Sequence, residues 1–431
     1  MNRREGYKET GIEWLGKIPS DWTFSRVGNF FKERSEKVDD IEYPPLSVTM
    51  SGIVDQLSNV AKTNDGDNRK LVKKNDFVIN SRSDRKGSSG IAPRDGSVSL
   101  INIVLEPHEL DSHFIQHLFK SYYFKEEYFR NGKGIHWDLW TTRWDQLKNI
   151  NIPIPSIQEQ KMISHYLDKT IEQIEHLVKK IQKKIELLKE ERTSFINQCL
   201  IKGLDLDVEM KDSGVEWVEE IPTDWEVSRL DFLTELNGRI GWKALKADEY
   251  VDEGYIFLST PNIKGRNIDF ENVNYITKER YLESPEIMLQ VDDVLLVKDG
   301  STLGVTNFVK KLPRESTVNS SIAVIRVKSK KCLPEYLFWF LSGNYTQNII
   351  QRIKGGMGVP HLFQADIKKF IVLLPPILKQ RQIVDMLNKK NDKFEKIINA
   401  NENKIQKLSE YLQSLISSVV TGKVRITKDM I

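Results

Sequence analysis

GIEWLGKIPSDWTFSR, residues 11–26, returns as GVEWVEEIPTDWEVSR, residues 214–229. Nine of the sixteen positions are identical: Gly11/Gly214, Glu13/Glu216, Trp14/Trp217, Ile18/Ile221, Pro19/Pro222, Asp21/Asp224, Trp22/Trp225, Ser25/Ser228 and Arg26/Arg229. Average residue usage gives roughly one identity by chance over that length. The copies lie 203 residues apart, far beyond the roughly 20–50 residues of a solenoid repeat. The chain reads as a duplicated half-protein.

A second pair lies downstream. IPIPSIQEQKMISHYLD (152–168) matches VLLPPILKQRQIVDMLN (372–388) at Pro155/Pro375, Ile157/Ile377, Gln160/Gln380, Ile163/Ile383 and Leu167/Leu387. Each copy opens a long segment of helical periodicity. Ile163, Leu167, Ile171, Ile174, Leu177, Ile181, Ile185 and Leu188 form one stripe. Ile383, Leu387, Phe394, Ile397, Ile405, Leu408, Leu412 and Leu415 form the other. A narrow apolar stripe between charged flanks such as KKIQKKIELLKEER predicts a coiled-coil seam. Ser156 and Glu159 have capping-box spacing, and Gly203 and Gly422 stand where helices end. Asn391 and Asn401 fall where the first stripe has Ile171 and Ile181, and a buried seam asparagine fixes register.

The order is thus block, helix, block, helix. It predicts a first domain over 1–155, a spacer helix over 156–203, a second domain over 204–374 and a C-terminal spacer over 375–431. Between the repeated stretches the blocks diverge, keeping one faint trace. LVKKNDFVINSRSDRKGSSG (71–90) and LQVDDVLLVKDGSTLG (289–304) each place an aspartate, a short apolar strand and a polar glycine-containing loop in that order. Short Val/Ile/Leu runs among a few helical stretches predict mixed α/β (α+β) domains.

Composition narrows the class. Charged residues are 29% and hydrophobic residues 39%, an ordinary globular balance, and no apolar run is long enough for a membrane span. MNRREGYKET lacks the apolar core of a secretion signal, and two cysteines, Cys199 and Cys332, cannot make a four-cysteine zinc site; a cytoplasmic protein is expected. A net charge of +3 means that any nucleic-acid surface is local. Catalytic signatures are missing: no phosphate-binding Gly-rich loop ending in Gly-Lys-Ser/Thr, and no Asn/Asp-Pro-Pro-aromatic motif of an amino-methyltransferase. His113 and His117 are spaced i,i+4, but HFIQH lacks the glutamate of a zinc protease. No metal site and no catalytic residue is therefore expected.

With both repeats in this order, the chain resembles the DNA-specificity (S) subunit of type I restriction–modification systems. The paired GIEWLGKIPSDW/GVEWVEEIPTDW stretches, the Pro-x-Ile-x-x-Gln helix starts and the LISSVVTGK ending (415–423) carry the resemblance, which spans essentially the whole chain. It implies two target-recognition domains, each reading half of a split, asymmetric double-stranded DNA target. It also implies two long antiparallel spacer helices, an internal two-fold and no catalysis. The implied partners are two modification (M) subunits, which methylate adenine, and the restriction (R) subunits. S-adenosylmethionine, ATP and Mg would belong to those partners. A helix of about 44 residues spans roughly 65 Å, a ruler for half-sites about one duplex turn apart. A coiled-coil adaptor holding two protein-binding domains is the rival reading, and an enzyme hidden in the divergent blocks is a third.

Base edges are read by Arg, Lys, Asn, Gln and Ser/Thr side chains, and phosphates are held by Lys and Arg. Four loops offer such residues. In the first block, SRSDRKGSS (81–89) carries Arg82, Arg85 and Lys86. RNGKGIHWDLWTTRW (130–144) carries Arg130, Lys133, His136 and Arg143 among Trp137, Trp140 and Trp144. In the second block, KDGST (298–302) carries Lys298, Ser301 and Thr302 beside Asp299, and QRIKGGMGVPHLFQ (351–364) carries Arg352, Lys354, His361 and Gln364. At least two of the three tryptophans are expected in the core. Trp14, Trp22, Trp217 and Trp225 are expected to be scaffold.

Overall fold

The computed structural model describes residues 6–57, 66–134, 140–205, 207–238, 245, 249–265, 267–354 and 360–431. The chain packs as two compact units, Met1–Gln182 with Asn401–Ile431, and Lys183–Ala400. Each unit therefore takes one block together with part of both long helices.

In the first unit the central sheet has the order Ser89–Ile91, Phe77–Asn80, Asn102–Pro107, Phe31–Glu33, every neighbour antiparallel. Alternating side chains serve opposite faces. Phe77, Ile79, Ile103 and Leu105 join Phe114, Leu118 and Phe119 of the helix Ser112–Lys120 in one cluster. Val78 and Val104 join Leu46, Val72 and Val98 in another. The second unit repeats the sheet place for place: Thr306–Phe308, Val294–Val297, Ile322–Val327, Thr234–Asn237. Val294, Leu296, Ala323 and Ile325 pack on the helix Pro334–Ser342, while Leu295, Val297, Ile322 and Val324 form the other face. The smaller sheets have diverged. Gly96–Ser99, Arg69–Val72 and Lys37–Val38 are all antiparallel, whereas Tyr255–Leu258 runs parallel to Ser316–Val318. The mixed α/β class expected from the sequence is the class observed.

The aspartate of the shared trace is buried in both units. Asp76 takes Arg34 through Nε at 2.8 Å and Nη2 at 3.2 Å. Asp293 takes Arg326 through two bonds of 2.8 Å. The arginine comes from different places in the two units, just past the strand Phe31–Glu33 in one and within Ile322–Val327 in the other, which is why sequence comparison does not reveal the pair.

The long helices run Ile157–Lys202 and Ile377–Val420. Within the first unit, Ile163 and Leu167 near the start of one share a cluster with Leu415, Val419 and Val420 at the end of the other. Within the second unit, Cys199 and Leu200 share a cluster with Ile383, Val384 and Leu387. The helices are thus antiparallel in each unit. Burial pushes the Cys199 thiol up to about 11 and Cys332 up to about 12, so both are apolar filling.

The repeated motifs lock these helix ends onto the blocks. Gln160 and Gln380 are buried and play one role. Gln160 Nε2 donates to the Pro155 carbonyl at 2.9 Å, and its Oε1 accepts from the Asp111 N–H at 2.9 Å. Gln380 Nε2 donates to the Pro375 and Lys331 carbonyls at 2.7 and 2.8 Å, and Oε1 accepts from Leu333 N–H at 2.8 Å. Trp22 and Trp225 are each 1% exposed, as scaffold requires. Trp22 Nε1 donates to Glu159 Oε2 at 2.9 Å. Glu159 therefore serves the tryptophan with its side chain, while its N–H donates to Ser156 Oγ at 3.3 Å. At the far ends, Gly422 (φ +75) leaves no room for a Cβ against Pro19 and Trp22. Gly203 (φ +79) stands against Trp225, where a Cβ would lie a tight 3.2 Å from the indole ring.

Two seam residues expected from the sequence are corrected. Leu177 and Ile397 are each 38% exposed. The inward positions are Val178, half-buried, and Ile398, 6% exposed. A heptad seam steps 3 and 4 alternately, so 174, 178 and 181, and 394, 398 and 401, keep the stripe in line; stepping through 177 or 397 breaks it. Asn391 is buried at a seam position and donates to Glu395 Oε1 at 3.2 Å, and Glu395 meets Arg192 at 3.5 Å. Asn401 is half-buried.

His113 and His117 both meet Asp168 of the first spacer helix, at 3.2 and 2.8 Å. The hydrogen bond to His117 holds the Asp168 carboxyl below its ordinary value against the opposing effect of partial burial. A carboxyl depressed in the folded state contributes stability above its unfolded pKa and loses it as pH falls through the folded one. Asp168→Asn is therefore expected to lower the urea midpoint near neutral pH. The gap from the unsubstituted chain should close below about pH 4.

Candidate nucleic-acid interface

The sequence leaves SRSDRKGSS and RNGKGIHWDLWTTRW some fifty residues apart; the fold joins them. Lys133 and Thr141 pair through both backbone groups, at 3.0 and 3.1 Å, and Thr141 bridges to Arg82. Ser83 N–H donates to the Trp140 carbonyl at 2.9 Å, and Thr142 N–H to the Ser81 carbonyl at 2.9 Å. Tyr128 clamps the junction from beneath, its hydroxyl donating to the Asn80 and Thr142 carbonyls at 3.3 and 3.2 Å.

The second unit builds the same junction from unrelated residues. Gly300 N–H donates to the Pro360 carbonyl at 3.0 Å, Leu362 N–H to the Lys298 carbonyl at 2.8 Å, and Asp299 bridges to His361. Lys298, Asp299 and His361 are linked: Lys298 Nζ meets Asp299 Oδ2 at 2.7 Å, and His361 Nδ1 hydrogen-bonds Asp299 Oδ1. Where the first unit sets Arg82 against Thr141, the second sets Asp299 against His361. The backbone frame is shared and the side chains it displays are not.

The individual candidates fall into three groups. Arg82 and Arg143 are exposed and line one open cleft of about 570 Å³, together with Lys70, Glu33, Ser81 and Asp145. Arg85, Lys133, Ser301, Arg352 and Lys354 are exposed, and Thr302 and Gln364 are half-buried around the junctions. Others have internal partners. Arg130 is gripped by Glu13 at 2.7 Å and Glu127 at 2.6 Å, and those two hydrogen bonds raise its pKa. Lys86 pairs with Glu126 at 2.7 Å and lies 4.5 Å over the Phe129 ring. His136 and Trp137 lie outside the described residues. Trp144 packs on the core, and Trp140 meets Phe129 at 5.6 Å between ring centroids.

Lys70, Glu33 and Asp145 were not singled out by the sequence. Lys70 Nζ bonds Glu33 at 3.0 Å and the Asn102 carbonyl at 3.0 Å, so its placement depends on strand pairing. Among the described residues no group of His, Cys, Asp and Glu could hold a metal ion, and no helix is long and apolar enough to cross a membrane.

The model of the type I restriction modification DNA specificity domain matches residues 19–187 and again 222–410. The MjaVIII specificity subunit of Methanocaldococcus jannaschii is 23% identical over 97% of both chains. The EcoKI specificity subunit of Escherichia coli K12 is 25% identical, over 74% of this chain and 68% of that one. Two solved structures share the fold. One belongs to work on complex assembly and conformational transition of the type I R-M system, with TM-score 0.72, 14% identity and coverage of 94% of this chain and 99% of that one. The other is the HsdS subunit from Thermoanaerobacter tengcongensis, with TM-score 0.54, 16% identity and coverage of 94% and 98%. Two family matches, one per repeated block and together spanning most of the sequence, place this chain among the type I restriction–modification specificity subunits, the non-catalytic members of those systems.

Proposed function

We propose that each unit reads one half of a bipartite, asymmetric double-stranded DNA target, and that the chain holds methyltransferase and restriction subunits at that target in the cytoplasm. The observation that carries this reading is the loop junction built twice with the same backbone bonds and different displayed side chains. Like frames deliver their side chains to a groove in like fashion, and unlike side chains select unlike bases. Adenine methylation with S-adenosylmethionine, and ATP- and Mg-dependent cleavage, reside in the partner subunits. Arg82 and Arg143 are the leading base or phosphate contacts of the first unit, and Lys298, His361 and Gln364 those of the second.

The test is an exchange of residues 27–150 for those of a relative, followed by selection of bound sequences from random DNA in the presence of the modification subunit. One half of the recovered consensus should change and the other stay. Change in both halves would refute the one-unit, one-half assignment. Binding with no consensus would favour an adaptor role.

A further inference from the structure

Three lysines gather on the first unit beside its loop junction. Lys120 Nζ lies 4.0 Å from where a Cβ on Gly52 would stand, at the turn of the hairpin Leu46–Asp55. The Lys125 side chain lies 3.2 Å from the same point on Gly87. Lys86 precedes that glycine. Lys120 and Lys125 are half-buried, and among the described residues neither ammonium has an ion pair or a hydrogen bond. Glu126 is the carboxylate that faces Lys125, and it is already paired with Lys86 at 2.7 Å. Burial lowers both lysine pKa values, and the neighbouring ammonium lowers each further: Lys125 acts on Lys120, and Lys86 on Lys125.

The second unit shows that the framework does not require these charges. Lys86 N–H donates to Ser83 as Leu303 N–H does to Gly300, and Lys125 N–H to Ser121 as Gln347 N–H does to Gly343. The positions of Lys86, Lys120 and Lys125 are therefore those of Leu303, Ser342 and Gln347. There the side chains are neutral and internally satisfied. Ser342 Oγ donates to the Phe338 carbonyl at 2.8 Å, and Gln347 Nε2 donates to the Gly304 and Leu341 carbonyls at 2.9 and 2.8 Å. Crowding three ammonium groups in partial burial around a carboxylate already paired to one of them is unfavourable unless an external anion completes the site.

We infer that Lys120 and Lys125, beside Lys86, form a seat for a DNA backbone phosphate that the second unit lacks. A phosphodiester suits it because lysine acts as a point charge on phosphate, and because Lys86 continues directly from the loop that forms the candidate interface. The inference rests on the DNA-reading proposal above. It makes the first unit the more salt-sensitive of the two.

The test uses the double substitution Lys120→Ser and Lys125→Gln, which installs the residues the second unit holds at those places. Binding of the full chain with its modification subunit to a random-sequence duplex of about 40 base pairs is followed over a salt series. Each lost phosphate contact removes about 0.9 from the slope of log affinity against log salt. A slope shallower by about 1–2 is expected, with all sequences weakened together and the thermal midpoint not lowered. Lys120→Arg with Lys125→Arg should keep the slope. An unchanged slope in the neutral variant overturns the phosphate seat. If that variant instead loses its modification subunit, the lysines face an acidic protein surface and the inference also falls. Failure of the unsubstituted complex to bind any duplex would bring down the DNA-reading proposal itself, and this inference with it.

Discussion

Trp22→Ala is expected to destabilise the first unit by about 3–5 kcal/mol, the usual cost of emptying a buried aromatic site. The indole is 1% exposed, and it stands where three separated pieces of chain meet. It belongs to the repeated stretch, it donates to Glu159 at the start of the first spacer helix, and it packs on Gly422 past the end of the second. Alanine would leave a cavity between helix and block and remove the indole's hydrogen bond to Glu159. Hydrogen exchange on the full chain checks the claim. Protection should fall across residues 1–182 and 401–431 and hold in 183–400. Uniform loss in both units, or loss under about 1 kcal/mol in urea, would show that the tryptophan does not carry the joint.

Asp293→Ala should act on the other unit with similar force, about 3–5 kcal/mol. Removing one member of a buried pair leaves an uncompensated charge behind. Asp293 holds Arg326 through two bonds and also accepts the Gln290 N–H at 2.7 Å. The arginine side chain keeps 25% exposure, which places the expected loss near the lower end of that range. Replacing both members, with Asp293→Asn and Arg326→Met, should cost less than Asp293→Ala alone. Measured by urea midpoints, a double variant no better than the single one would mean that the guanidinium was never stranded.

Much of this architecture could be read directly. The duplicated Trp/Pro/Trp stretch, the Pro-x-Ile-x-x-Gln starts and the terminal glycines each mark a place where a helix end meets a block. They are identical in the two halves because one geometry, made twice, needs the same side chains twice. Gln160 and Gln380 show how local that demand is. One side-chain amide satisfies backbone groups on both sides of it, and no other residue type of that size both donates and accepts in this way. Loops were legible only as composition. Arg82 and Arg143 were visible as basic residues, but nothing in their order along the chain announced that both would line one cleft.

The amino-acid sequence alone thus determined the duplication, the helices, their caps and the family, since all of these follow from short-range pattern. Tertiary structure decided what pattern cannot reach. It chose Val178 over the larger Leu177, and Ile398 over the identical Ile397, as seam residues, because the heptad step and not side-chain size sets the inward position. It brought residues 81–83 beside 140–142, and 298–300 beside 360–362, because strand pairing joins segments without regard to their separation in the chain. It left Lys120 and Lys125 together beside a carboxylate, Glu126, that Lys86 already holds, a fact about neighbours in space that the chain order does not contain.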